Sequence, residues 1–375
     1  MSISSAEMDR RWTAVRAVMA REGLDWLVGT SGHPFGYQRW LTNRVGMPGT
    51  LVAMPRSGDV LLASHGDAVH HFPVDSYGVR HLVTPAQPNQ LANTHAPALV
   101  QAMHESAPRR IGVMGLGYLS AATYNTLLKS LPEVEFIDAT EWIAPIKAIK
   151  SKEELGLMRK AARMHEEAVE LLRDLVRPGK TAGEIMEEIR FFLNRNRSPA
   201  QTLMAGSSPP NVPCRYAGPK DRVLEPGDQF AMLIEAAEED GYYSEAFPVV
   251  SLGPVPDTLR RAFDDAVEAQ ERLADMARPG ADPNEMMRAN DAFMLSRGYP
   301  AEGRLLGHSQ GVDLVERPAL TPGGETLKIE ANMVISIHPT THGPHAWGFP
   351  VNQSFLIGEG APQRMLTTPQ EIIVL

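Results

Sequence analysis

The sequence predicts an α/β domain over residues 1–148 followed by a duplicated α+β domain over residues 149–375. Three observations carry that expectation. In the first part, short apolar runs alternate with amphipathic helical segments. The pattern changes at TEWIAPIKAIKSKEE, beyond which long amphipathic helices take over. A helix–Arg-Pro-Gly–helix unit then occurs twice, about a hundred residues apart.

The first helix is AEMDRRWTAVRAVMAREGL, where Trp12, Val15, Val18 and Met19 fall at helical spacing and Gly23 supplies the stop. The runs DWLVGT, TLVAMP, VLLAS, IGVMG and VEFID follow, each bounded by Gly, Pro or charge, and read as strands of one sheet. A long amphipathic helix begins at Ser151, so the domain boundary is expected close to residue 148. This helix runs to Val176 and gives way to RPGKTAGEIMEEIRFFL; a later one runs to Ala277 and gives way to RPGADPNEMMRANDAFML. In both, Arg-Pro-Gly stops one helix and a polar cap starts the next, with Glu184 and Glu285 in matching places. A strand-rich segment follows each echo. Two such halves are expected to pack about a pseudo-twofold axis with a cleft between their sheets.

Composition narrows the function classes. Hydrophobic content of 43% and charged content of 22% are those of an ordinary globular chain. A net charge of −9 without a Lys/Arg run argues against a nucleic-acid surface. No apolar run is long enough to span a bilayer, and the charged start MSISSAEMDRRW does not read as a secretory leader. The single cysteine, Cys214, fits a reducing cytoplasm.

The stretch EANMVISIHPTTHGPH places His338, His342 and His345 close together. Its MVISI portion alternates as a buried strand does, and PTTHGP breaks any helix, so the histidines are not ligands on one helical face. They stand at a strand end and in a loop.

The residues IKAIKSKEELGLMRKAA, EPGDQFAMLIEAAEEDGYYSE, GHSQGVDLVERP and NMVISIHP together resemble the creatinase/aminopeptidase P/methionine aminopeptidase family, over essentially the whole chain. The resemblance implies a creatinase-like α/β amino-terminal domain, a pita-bread catalytic domain and a homodimer. In metal-dependent members, two aspartates, a histidine and two glutamates hold two divalent ions. Carried over residue by residue, the histidine is retained as His308, the second aspartate falls on Glu245, and the two glutamates fall on His338 and Asn352. Glu235 is the nearest carboxylate for the first aspartate, at a spacing one residue shorter than the family's. A regular two-residue hairpin through Asp240-Gly241 sets Glu235 opposite Ala246 and turns Glu245 to the other face of the sheet, unless a bulge or another turn restores the register. Two histidines that help aminopeptidases move protons or bind peptide are replaced by Cys214 and Val315.

This set implies chemistry without metal or other cofactor. His308, His338, Glu245 and Glu235 are the candidate catalytic residues, His308 and Glu245 handling protons. If a single ion binds, the same four are its expected ligands. Candidate substrate contacts are Cys214, Arg215, Glu316, Asn352 and the loop residues His342, His345 and Trp347, and the resemblance to creatinase implies that Arg39 and Arg44 of the first domain reach a partner's cleft. The expected activity is C–N hydrolysis of a small carboxylated or aromatic non-peptide molecule, not ordinary Xaa-Pro aminopeptidase activity. The alternatives are a lyase, a mononuclear metal-dependent hydrolase and a non-catalytic binding module. No nucleic-acid or membrane partner is expected.

Overall fold

The computed structural model describes residues 3–30, 36–44, 49–65, 77–84, 95–210, 212–341 and 351–375. The chain divides into two compact units, Met1–Lys147 and Ala148–Leu375.

In the first unit, helix α1 (Ser5–Glu22) starts where the Ser4 hydroxyl accepts from the Glu7 amide at 3.2 Å and ends at Gly23, whose φ of 69° suits a residue without Cβ. A mixed sheet follows, with strands β1 (Trp26–Thr30), β2 (Leu51–Pro55), β3 (Val60–His65), β4 (Val79–Thr84), β5 (Arg110–Met114) and β6 (Glu135–Asp138), ordered β4-β3-β2-β1-β5-β6. Helices α2 (Gly36–Thr42), α3 (His95–His104), α4 (Ala121–Ser130) and α5 (Thr140–Ala148), with a short 3-10 helix at Leu116–Tyr118, complete the described elements. Trp26, Val28, Leu51, Leu61 and Ile111 of the sheet pack against Leu99, Met103 and Leu127 of α3 and α4. Strand β4 escaped the sequence reading because Arg80 and His81 break its apolar pattern; as an edge strand it is buried only in part.

The second unit opens with two helices whose caps the sequence encodes. Helices α6 (Lys152–Leu175) and α7 (Ala182–Arg195) each begin with a reciprocal capping box, Ser151 with Glu154 and Thr181 with Glu184. Strands β7 (Gln201–Ser208), β8 (Gln229–Ala237), β9 (Tyr243–Ala246) and β10 (Val249–Ser251) follow. Next come α8 (Asp257–Met276) and α9 (Pro283–Ser296), then β11 (Gly307–Ser309), β12 (Glu316–Leu320), β13 (Val334–Ile337), β14 (Gln353–Leu356), β15 (Gln363–Arg364) and β16 (Ile372–Val374). One sheet runs β16-β10-β8-β7 with β9 also on β8; the other runs β12-β11-β13-β14-β15.

Alternation along the strands separates scaffold from site. In β8, Phe230, Met232, Ile234 and Ala236 join α6 and α7 in one core, and Glu235 points to the other face. In β13, Ile335 and Ile337 join Leu273 of α8 and Met286 of α9 in a second core, and Ser336 points away from it.

The β8–β9 register corrects the hairpin expectation. Glu235 lies opposite Glu245, with Ile234 opposite Ala246. The turn spans three residues: the Glu238 amide bonds the Tyr242 carbonyl at 2.9 Å, and Gly241, at φ 92°, donates to the Glu238 carbonyl at 2.7 Å. The Glu238 carboxylate caps the loop by accepting from the Asp240 amide at 3.0 Å. A left-handed glycine in a longer loop therefore supplies the shift that a two-residue turn lacks. Among the described residues no helix is long and apolar enough to cross a membrane.

Candidate active site

Glu245 and His308 come from different sheets and meet in the interior of the second unit. The His308 Nε2 stands 3.8 Å from Glu245 Oε1, with both side chains almost fully buried. The Nδ1 of His308 lies 3.0 Å from the Ser309 carbonyl, an acceptor only, so Nδ1 carries a ring hydrogen and Nε2 is the atom turned toward Glu245. Strand β11 shifts register against β12 between His308 and Ser309, an irregularity that aims a side chain out of the regular pleat. His338 follows β13, and its ring centre is 5.3 Å from that of His308 at an interplanar angle of 58°. Ligand-type atoms of Glu245, His308 and His338 all lie within 4.8 Å of one another.

A relay of neutral groups holds Glu245 from the second sheet. Asn352 Nδ2 donates to Ser336 Oγ at 3.1 Å, and the Ser336 hydroxyl donates to Glu245 Oε1. His308 and Ser336 are paired across β11 and β13, and Ser336 and Ser354 across β13 and β14, so this face carries a polar row. Ser336 was missed by sequence reasoning, and the hydroxyl next to Glu245 in sequence is not the one that holds it. Ser244 projects to the opposite face of β9, and its buried oxygen has no partner among the described residues. The signal that could have found Ser336 was a polar residue in phase with His338 inside the apolar run MVISI.

Electrostatics separates the two facing carboxylates. Burial, and then the charge of Glu245, push the Glu235 carboxyl up to about 8. Burial also opposes ionisation of Glu245, but His308, His338 and the hydrogen bonds of Ser336 and Asn352 outweigh it and hold that carboxyl below its ordinary range. Burial lowers His338 to about 4, against the attraction of Glu245 and with some repulsion from His308 and Arg304. Near neutral pH the site therefore holds a protonated Glu235, an ionised Glu245 and a neutral His338. A second missed residue is His165 on α6. It is fully buried, its Nδ1 bonds the Ala161 carbonyl at 2.8 Å, its Nε2 has no partner among the described residues, and burial lowers it to about 4.

Several expected contacts lie elsewhere. Cys214, expected to line the pocket, is instead wholly buried in a core with Phe247, Val249 and Leu259, and burial raises its thiol to about 12. Arg215 is exposed. Glu316, expected at the substrate, is committed to a buried ion pair with Lys150 at 2.6 Å. In the first unit, Arg39 is buried in α2 and Arg44 is half-buried, its guanidinium pKa lowered by burial. His342, His345 and Trp347 lie outside the described residues.

The family's two ions can be tested against these donors. A bridged pair of divalent ions draws on several anionic oxygens, whereas here Asn352 is a neutral amide, His338 is an imidazole, and Glu245 already accepts from Ser336. Two ions do not fit. A single ion does, on Glu245, His308 and His338.

Residues 156–359 match the model of metallopeptidase family M24, and residues 11–149 match the creatinase/prolidase N-terminal domain. An uncharacterized hydrolase/peptidase, y4tL, of Sinorhizobium fredii is 26% identical over 99% of this chain and 97% of its own. The ectoine hydrolase of Halomonas elongata is 27% identical over 70% of each chain. Among solved structures, the Xaa-Pro dipeptidase from Bacillus anthracis superposes with a TM-score of 0.80 at 19% identity, covering 98% of this chain and 100% of that one. The chain belongs to metallopeptidase family M24, a family of hydrolases, and has its two-domain creatinase-type and pita-bread fold.

Proposed function

We propose that this member of family M24 is a hydrolase of a small, carboxylated, non-peptide C–N substrate, working through its own acid and base side chains without a metal ion. The observation that carries the reading is the meeting of Glu245, His308 and His338 in one buried cluster, with Glu235 directly across from Glu245. With Glu235 protonated, Glu245 is the one ionised carboxylate among these four groups, which leaves no cluster of negative charge for a cation to neutralise. Convergence on a buried spot also favours catalysis over a binding platform.

In the proposed cycle, His308 Nε2 takes a proton from a water as its oxygen adds to the carbon of the C–N bond. The imidazolium so formed is stabilised by Glu245, which Ser336 and Asn352 hold in place. Glu235, protonated near neutral pH, gives its proton to the departing nitrogen, and the proton on His308 then restores the acid. His338, neutral beside Glu245 and His308, donates or accepts a hydrogen bond at the tetrahedral centre. The substrate class rests on the replaced histidines at Cys214 and Val315 and on ectoine, a small carboxylated cyclic amidine, in the name of one relative. A homodimer belongs to the same reading, with Arg44 rather than the buried Arg39 as the group able to reach outward.

The ligand-type cluster of Glu245, His308 and His338 supports a second reading, a mononuclear enzyme. Bound there, one ion would supply Lewis-acid polarisation of the group attacked.

The test is turnover of ectoine and of a Gly-Pro dipeptide by protein stripped with a chelator, with metal content measured in parallel. Hydrolysis of ectoine and inertness toward the dipeptide are expected. Cleavage of the dipeptide, or activity that returns only with manganese, cobalt or zinc, contradicts the proposal. Product analysis separates hydrolysis from elimination.

A further inference from the structure

The chemistry above leaves unused a buried pair of charges in the second unit. Lys150 Nζ donates to Glu316 Oε2 at 2.6 Å, with the two side chains 1% and 4% exposed. Burying two such charges rarely stabilises a fold more than apolar packing would, so the pair calls for another role. Its connections run to the strands that carry the site. The Lys150 amide bonds the Asn332 carbonyl at 2.9 Å, just before β13 and its Ser336. Glu316 lies directly opposite Ser309, whose carbonyl fixes the His308 ring. The other oxygen of Glu316 accepts from the Asp313 amide at 3.2 Å; the Asp313 carbonyl accepts from Gly311 at 3.1 Å; and the Gly311 carbonyl accepts from the Tyr243 amide at 2.8 Å. Tyr243 opens β9, the strand of Glu245. Gly311 is wedged against the pair, since a Cβ there would lie 2.7 Å from Glu316 Oε1 and 2.9 Å from Lys150 Nζ.

We propose that Lys150 and Glu316, with Gly311 packed on them, form a positioning pair that sets the separation of Glu245 and His308 across the two sheets. This rests on the reading of Glu245 and His308 as the working pair. The two residues act through the 311–316 loop and touch no reacting atom, so their loss is expected to lower turnover with little effect on binding.

The test uses full-length K150M/E316Q, which removes both charges so that neither is left buried alone, and Gly311→Ala, which disturbs the link while keeping both charges. In each, kcat on ectoine is expected to fall about 10- to 100-fold with KM within about twofold, as misplacement by an ångström does. Amide exchange at Tyr243 is expected to quicken about tenfold. Variants that melt like the wild type and keep its kcat overturn the inference, whether or not exchange changes, and leave the catalytic reading intact. A wild type inactive on both probes overturns the catalytic reading instead. The positioning link is then judged by exchange, and unchanged protection at Tyr243 overturns it too.

Discussion

The two halves of the second unit share a scaffold and differ in what they contribute. Both begin with helices joined through Arg-Pro-Gly, and both bury one apolar sheet face, against α6 and α7 in one half and α8 and α9 in the other. Their polar faces diverge. The first half offers two carboxylates opposite one another, Glu235 and Glu245. The second offers His308, Ser336, His338 and Asn352, which are imidazole, hydroxyl and amide groups. Apolar faces must fill space and so keep their character; polar faces need only be satisfied by whatever they meet. Here the carboxylate of one half is satisfied by donors of the other, and the site exists only where the halves meet.

That division can be broken from either side. The largest effects are expected from His308→Ala and Glu245→Gln, each lowering kcat on ectoine about 10²–10⁴-fold while the protein stays folded, as for loss of a general base or its partner. Because the two act as a unit, the double variant should be little worse than either single one; additive losses would separate the halves again. Truncating the scaffold instead of the site tests the complementary claim. Ile234→Ala and Ile335→Ala, one fully buried residue per core, should each cost about 2–5 kcal/mol in denaturant unfolding, with kcat per folded molecule preserved.

Glu235→Gln sharpens the comparison within the carboxylate half. A carboxyl raised to about 8 is a proton donor below that pH, so wild-type activity should decline as pH rises through about 8. In the variant this alkaline limb should vanish together with most of the rate. Acid stability reports on the buried imidazoles. His165 and His338 are lowered from 6.5 to about 4, so between those values the unfolded chain binds protons that the folded one refuses. Their stabilisation is present above pH 6.5 and lost as pH falls toward about 4, with a slope of at most about 1.4 kcal/mol per pH unit for each group. His165→Phe should flatten that slope. Smallest of all, Thr181→Ala and Asp282→Ala remove the caps of α7 and α9 and should cost about 1 kcal/mol each.

Much of the scaffold was legible because it is locally encoded. The runs containing Trp26–Thr30, Leu51–Pro55 and Ile111–Met114 became strands of one sheet, and the helix from Ser151 closes with Val176 as its cap. The site was legible only in part. His308, His338, Glu245 and Asn352 could be placed by resemblance, and they do assemble. What the sequence concealed lies in the geometry of one turn and in contacts across long separations. The facing of Glu235 and Glu245 follows from a glycine and a capping carboxylate in a turn. Ser336 acquires its partner 91 positions away, and Glu316 finds Lys150 at a separation of 166. Cys214 shows the converse: a substitution at a place of former chemistry drew attention to a residue that the fold uses as packing.

The most direct measurement is the rate of ectoine hydrolysis as a function of bound metal per chain, from chelator-stripped protein through stepwise return of manganese, cobalt or zinc. A rate independent of metal content is expected if the acid and base side chains carry the reaction themselves. A rate that rises in proportion to one equivalent of ion, and is absent without it, would instead put Glu245, His308 and His338 to work as ligands.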